Sequence, residues 1–373
     1  MKEPKIRFKG FSGEWKECTL SNIITVNSGK DYKHLEKGTI PVYGTGGYML
    51  SVNTSLSEHD AIGIGRKGTI DKPQYLKAPF WTVDTLFFLT TNNGDNLDFL
   101  FNLSQNIRWQ KYDESTGVPS LSKNNIDKIK TCIPNKFEQQ SVASFFTSLD
   151  AQISASTSRL ASLKQMKAAS LQAMFPQEGE TMPKVRFKGF EGEWKAVKLG
   201  EIFSERNESN INGEMLSVTQ HNGIIKASEN GRFDNSNSDK SGYKVVMVGD
   251  IAYNSMRMWQ GASGYSPYEG IVSPAYTVII PQEGIHSPFF AYLFKNESII
   301  KTFRLHSQGL TSDTWNLKFP AFSKIEVLFP MNIDEQKQIA SFFTSLDRQI
   351  ALHTQRLEKL KQIKAACLDK MFV

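Results

Sequence analysis

The chain has 373 residues, 39% of them apolar and 22% charged, an ordinary globular composition with length enough for two domains that each bury a core. Forty-four Lys and Arg against 38 Asp and Glu leave a net charge of +6 and a pI near 8.9, which favours a polyanionic partner without proving one. Cys18, Cys132 and Cys367 stand too far apart for a disulfide framework or a zinc spacing, no stretch approaches the roughly 20 apolar residues of a membrane span, and the opening MKEPKIRFKGF lacks a signal-like apolar run, so a reducing cytoplasm is the expected location.

The opening alternates basic and apolar residues, Lys5-Ile6-Arg7-Phe8-Lys9, and then sets Phe11 and Trp15 around Gly10 and Gly13. It reads as an extended arm followed by a turn. Basic residues interleaved with aromatics can be a nucleic-acid footprint, but docking of the arm on its own domain is the preferred reading. The same stretch returns: PKIRFKGFSGEWK from Pro4 lies over PKVRFKGFEGEWK from Pro183 (4 to 183, a displacement of 179).

The first middle, about Leu20 to Pro134, holds short β-like runs between turn residues at Ile23–Val26, Ile40–Tyr43, Ala61–Ile64 and Val83–Thr90. The second holds Met215–Thr219, Tyr243–Val248, Asp250–Tyr253 and Ala275–Ile280. Each also carries one aromatic helix candidate, Leu97–Tyr112 and Ser287–Phe303. The middles are therefore expected to be mixed α/β (α+β) domains. Both close alike, IKTCIP from Ile129 opposite IEVLFP from Ile325, and a Pro, Gly and acidic linker joins the halves.

The strongest repeat follows each middle. EQQSVASFFTSLDAQI from Glu138 lies over EQKQIASFFTSLDRQI from Glu335 (138 to 335, a displacement of 197), and the match runs on to Phe175 and Phe372. Each copy predicts a helix of roughly 37 residues, about 55 Å long. Phe146, Leu149, Ile153, Leu160, Leu163 and Met174 in the first, and Phe343, Leu346, Ile350, Leu357, Leu360 and Met371 in the second, fall at alternating spacings of three and four, the pattern of a heptad seam. Ser156, Lys167 and Ser170 interrupt the first stripe; His353, Lys364 and Cys367 interrupt the second at the same points. Two matching stripes in one chain bury most simply against each other, although each could pack on its own domain instead. Long connections allow an antiparallel pair with an internal pseudo-two-fold repeat, but the sequence leaves the direction open. The expected division is a first recognition domain at 1–137, a long helix at 138–174, a linker at 175–183, a second recognition domain at 184–334 and a final long helix at 335–373.

Signatures of catalysis are missing: no GxxxxGK(S/T), no HExxH, no GxSxG elbow and no DPPY-type or NPPF-type segment. Gly63-Ile64-Gly65-Arg66-Lys67-Gly68 matches GxGxxG, but Pro73 falls where the helix of a dinucleotide site would run, so a tight basic loop is the better reading. The six histidines are scattered. What the middles offer is chemistry for reading base edges and holding phosphate. The candidates for DNA contact in the first are Lys30, Tyr32, Arg66, Lys67, Lys72, Trp81 and Ser115-Thr116-Gly117. Those in the second are His221, Asn222, Arg257, Trp259, Gln260, Gln308 and Thr311.

With PK(I/V)RFKGFxGEW opening each half, a closing block ending in Pro and then Glu-Gln, and the doubled SFFTSLD helix, the chain resembles the specificity subunit of type I restriction-modification systems. GRKGTIDKPQ, FWTVDTLFF and YNSMRMWQGASG look like segments of its target recognition domains. The resemblance implies that each middle binds one half of a split, asymmetric target in double-stranded DNA, and that antiparallel helices act as a spacer and help dock two modification (methyltransferase) subunits. It implies no cofactor and no metal in this chain. Partner subunits would bring S-adenosylmethionine for adenine methylation, and restriction subunits would bring ATP and Mg for translocation and cleavage. The rival reading is a non-catalytic coiled-coil scaffold without DNA specificity.

Overall fold

The computed structural model describes residues 2–220, 223–229, 240–312 and 314–373. The chain forms two compact units, Met1–Ser158 with Thr354–Val373, and Arg159–His353.

In the first unit a four-stranded antiparallel sheet runs in the order Ile24–Ser28, Leu86–Thr91, Ala61–Gly65, Gln74–Leu76. Its two inner strands read as near-continuous apolar runs because both faces of the sheet are covered. Ile62, Ile64, Phe87 and Leu89 point into one core with Trp15, Phe99 and Phe146, while Ala61, Leu86 and Phe88 point into another with Val42, Phe80 and Trp81. A smaller sheet, Gly47–Val52, Lys37–Gly44 and Trp81–Thr82, closes the second core.

The second unit repeats the plan with different residues. Its four strands run Phe203–Glu205, Tyr276–Pro281, Ile251–Asn254, Ser263–Tyr265. Ile251, Tyr253 and Ile279 again face one core; Ala252 and Val278 face the other. In each unit a two-stranded ribbon, Lys16–Thr19 with Lys130–Ile133 or Lys195–Lys198 with Glu326–Phe329, brings the opening of the repeat beside its closing block.

The expected strands are present with shifted ends, but each aromatic helix is broken in two. The first becomes Leu97–Asn106 and a 3-10 turn, Trp109–Tyr112, where the buried indole of Trp109 donates to the Ser104 carbonyl. The second becomes Ser287–Leu293 and Glu297–His306, because Asn296 accepts from the Ser298 N–H and so caps a new helix.

The long helices are Lys136–Ala173 and Ile333–Met371, and each runs through both units. Within the first unit the start of the first helix lies antiparallel to the end of the second: Lys364 Nζ donates to Asp150 at 2.6 and 2.8 Å, and Phe146 lies 5.9 Å from Phe372. The second unit repeats this with Lys167 on Asp347 at 2.5 Å and Phe343 stacked on Phe175 at 5.9 Å. Each unit is thus completed by the helix end of the other repeat. Asn106 grips the Leu368 carbonyl at 3.0 Å where Asn296 grips that of Leu171 at 2.8 Å, and the Ile6 and Val185 N–H groups hold the carbonyls of Lys370 and Ala173. Phe372 and Phe175, the residues plugged into each core, are each worth on the order of 2–3 kcal/mol by burial alone. Phe175, first residue of the expected linker, therefore belongs to the core.

Of the seam residues, Phe146, Leu149, Leu160, Leu163, Met174, Phe343, Leu346, Leu357 and Met371 are buried, and Ile153, Ile350 and Leu360 are half-buried.

Candidate nucleic-acid interface

The first unit builds a loop cluster at the end of strand Ala61–Gly65. A Cβ on Gly65 would stand 2.0 Å from the Thr69 carbonyl oxygen, and Gly68 has φ +95°, so the chain doubles back here only as glycine. That, and not a pyrophosphate cradle, is what the GxGxxG pattern encodes, since no helix follows. The Arg66 and Lys67 N–H groups donate to the Thr85 carbonyl, and the Arg66 guanidinium lies 5.8 Å from the Phe87 ring and donates to the Asp84 carbonyl. Both side chains remain exposed.

The Ser115-Thr116-Gly117 loop is fastened to this turn. Gly68 N–H donates to the Pro119 carbonyl at 2.8 Å and Leu121 N–H to that of Arg66 at 2.9 Å. Asp113 shapes the loop from within, accepting from the Ser120 N–H, the Ser115 N–H and the Ser115 hydroxyl, each at 2.9 Å. Those donors, Ser120 first, hold its carboxyl below the usual aspartate range. The hairpin tip Thr45–Gly47 adjoins the turn, tied down where Gln74 Nε2 donates to the Gly44 and Thr45 carbonyls, and it presents Tyr48 with 63% of its surface exposed.

Other sequence candidates fall elsewhere. Trp81 is a buried core residue whose indole donates to the Lys30 carbonyl, so its side chain is not on the surface, and Tyr32 packs half-buried against the same core. Lys30 is exposed beside the Thr82–Thr85 turn that also holds Arg66. Lys72 is exposed next to Asp71, which accepts from Gln110, away from the Arg66 turn's own hydrogen bonds.

In the second unit the corresponding strand Ile251–Asn254 leads into a turn bearing exposed Arg257 and half-buried Trp259 and Gln260. Leu317 N–H donates to the Ser255 carbonyl at 2.8 Å, the counterpart of the Leu121–Arg66 bond. Gln308 and Asn316 exchange two backbone bonds, and exposed Thr311 lies between them in sequence. Trp259 meets Trp315 edge to face at 5.2 Å, and the Arg304 guanidinium lies 5.2 Å from the Trp315 ring. A cavity of about 370 Å³ has Lys244, Glu205, Ser255, Asn316 and Lys318 in its wall. His221 and Asn222 lie outside the described residues.

Tyr48, Arg304, Trp315 and Lys318 are absent from the sequence-derived candidates. For Arg304, Trp315 and Lys318 the available signal was basic residues spaced around a Trp in a Gly-containing loop, the composition suited to stacking and phosphate contact; Tyr48 carried only its place after Gly46-Gly47. Among the described residues no group of three or more His, Cys, Asp or Glu could hold a metal, and no helix is long and apolar enough to cross a membrane.

A family model described as the type I restriction modification DNA specificity domain matches the chain twice, at residues 12–165 and 191–362. No curated protein matches it in sequence. Among solved structures, the type I restriction-modification system S subunit from M. genitalium is similar at 16% identity and a TM-score of 0.68, over 100% of this chain and 99% of that one. The HsdS subunit from Thermoanaerobacter tengcongensis aligns at 14% identity and a TM-score of 0.46, over 100% and 99%. With the specificity domain present twice, and each copy spanning one middle and much of one long helix, the chain belongs to the type I restriction-modification DNA specificity family as a specificity subunit.

Proposed function

We propose that each unit reads one half of a split duplex-DNA target, and that the chain thereby directs adenine methylation by two modification subunits and ATP-dependent cleavage by restriction subunits. S-adenosylmethionine, ATP and Mg would be bound by those partners, and this chain would supply specificity alone. The observation that carries the reading is a recurrence. In two units whose sequences differ here, an exposed arginine follows the same inner strand, and the turn is fastened by an equivalent backbone bond to a glycine-bearing loop. A fold that holds this geometry while its exposed residues change suits two readers with unlike targets. Arginine in such a turn can fork onto guanine, and the basic surroundings supply phosphate contact.

Mapping methylated adenines in cells that carry this chain with its methyltransferase tests the reading. A single motif in two parts separated by unspecified bases is the expected outcome. Methylation indifferent to the presence of this chain, or no association of the complex with duplex DNA, overturns it in favour of a protein scaffold.

A further inference from the structure

We propose that Lys295 is a positioning residue for DNA reading by the second unit, a single ammonium that locks the Arg257–Gln260 turn to the neighbouring hairpin and so fixes which bases the second half-site accepts. The inference rests on the DNA-reading function proposed above.

Lys295 lies in the short connection between helices Ser287–Leu293 and Glu297–His306. Its Nζ donates to three main-chain carbonyls on two separate segments: Gln220 at 2.9 Å, which follows strand Leu216–Thr219, and Gly261 and Ser263, the latter at 2.8 Å, just after the Arg257–Gln260 turn. All three protons of the ammonium are thereby used. Among the described residues no carboxylate forms an ion pair with it. Burial lowers its pKa to about 8, and Lys167 adds to that effect while Asp347 opposes it. A lysine so placed loses hydration that only well-directed acceptors return.

The surrounding backbone is packed to match. A Cβ on Gly261 would stand 3.2 Å from Ile300 Cδ1 and 3.7 Å from Lys295 Cδ, and one on Gly264 would stand 2.6 Å from the Gly223 Cα. The hairpin, the turn and the lysine stem therefore form one block. Trp259 stands on that turn with its indole donating to the Met256 carbonyl, so the placement of Arg257, Trp259 and Gln260 is inherited from the block. Among the described residues of the first unit no lysine takes the equivalent place. Asn106 and Asn296 are equivalent by their grip on the incoming helix, so the preceding position there is Gln105.

The test uses the complex of this chain with its methyltransferase and three fluorescent duplexes: the cognate target, one altered in the first half-site and one altered in the second. Wild type is expected to reject both altered duplexes; if it ignores sequence altogether, the proposed function fails and not this inference. With Lys295→Met, rejection of the altered second half-site should fall about tenfold, the scale of one mismatched base pair, while rejection of the altered first half-site is retained. Unchanged discrimination at both, or an equal loss at both, overturns the proposal. Should Lys295→Met fail to assemble, Lys295→Gln is read in the same way. Failure of both to assemble would make Lys295 a residue of folding and overturn it as well.

Discussion

Arg7 and Glu138, 131 positions apart, meet in a two-pronged ion pair, Nε on one carboxylate oxygen and Nη2 on the other, each at 2.7 Å. Arg7 Nη1 donates to the Gly13 carbonyl at 2.6 Å, and the Trp15 indole donates to the same carboxylate at 3.4 Å. Arg186, Gly192, Trp194 and Glu335 repeat the joint with contacts of 2.7, 2.8, 2.6 and 3.3 Å. The near-identical ends of the two repeats thus meet in one joint that anchors the arm and ribbon to the first turn of a long helix. Gln139 and Gln336, beside those glutamates, bridge the Pro134 and Pro330 carbonyls to the turns before the head helices.

Since Glu138 is 1% exposed, Arg7→Met leaves a buried carboxylate without its partner, a change expected to cost about 3–5 kcal/mol. Urea unfolding should show that loss. Glu138→Gln, which removes charge and keeps an acceptor, should cost less, and Arg186→Met should act on the second unit as Arg7→Met acts on the first.

The sequence announces this joint only as a repeat. Nothing local links Arg7 to Glu138, because the pairing is made by a ribbon that closes over more than a hundred intervening residues. Docking of the basic-aromatic arm on its own domain, the preferred reading of its sequence, takes the form of Arg7 on Glu138. Inner strands were legible because burial on both faces writes an uninterrupted apolar run, as in Ala61-Ile62-Gly63-Ile64. Breaks in the two aromatic helices were not: Asn296 caps a new helix while its amide grips the Leu171 carbonyl 125 positions away, and Trp109 turns its indole back onto the Ser104 carbonyl five positions earlier, neither of which the apolar pattern marks. The candidate loops were half legible. Arg66 and Arg257 follow glycine or strand signals, whereas Trp81 carries the composition of a reader and the environment of a core residue. Helix direction was unreadable from heptads, yet Asp150, Lys167, Asp347 and Lys364 fix it once paired.

Those four charges make a second test. Asp347 and Lys167 are partly exposed, so the pair should contribute about 0.5–1 kcal/mol. Lys167→Asp should lower stability by setting two carboxylates together, and adding Asp347→Lys should recover most of the loss. A double-mutant cycle read by thermal unfolding gives the coupling; parallel helices would give none.

Arg66→Ala should weaken or relax recognition of one half-site only, and Arg257→Ala the other, each by about 1–3 kcal/mol at the affected position. Asp113→Ala should act on the same half-site as Arg66→Ala, since it frees the Ser115–Ser120 loop that flanks the arginine. Methylation mapping of each variant checks the assignment: a change in both halves, or in neither, removes the residue from the reading surface.

Lys295 gives a pH signature. Its folded pKa, near 8, lies below the ordinary 10.5, so between those values the unfolded chain holds more protons at this site. Its contribution to stability therefore rises with pH across that window and is least favourable below about 8. Lys167 and Asp347 face the same region, and Tyr292, with its hydroxyl on Asp347, titrates higher. The difference in unfolding free energy between wild type and Lys295→Met, followed from pH 7 to 10, should move in favour of wild type as pH rises.

The last test concerns the gap between half-sites. If the long helices set it, seven residues added to each, after Ser158 and after His353, lengthen both by about 10 Å while preserving the heptad phase. That is roughly three base pairs at 3.4 Å each. Adding to one helix alone would shift Lys167 and Lys364 out of register with Asp347 and Asp150, so the paired insertion isolates length from packing. The methylated motif should keep both half-sites and gain about three unspecified base pairs between them. An unchanged gap would mean that the partner subunits, and not these helices, measure the DNA.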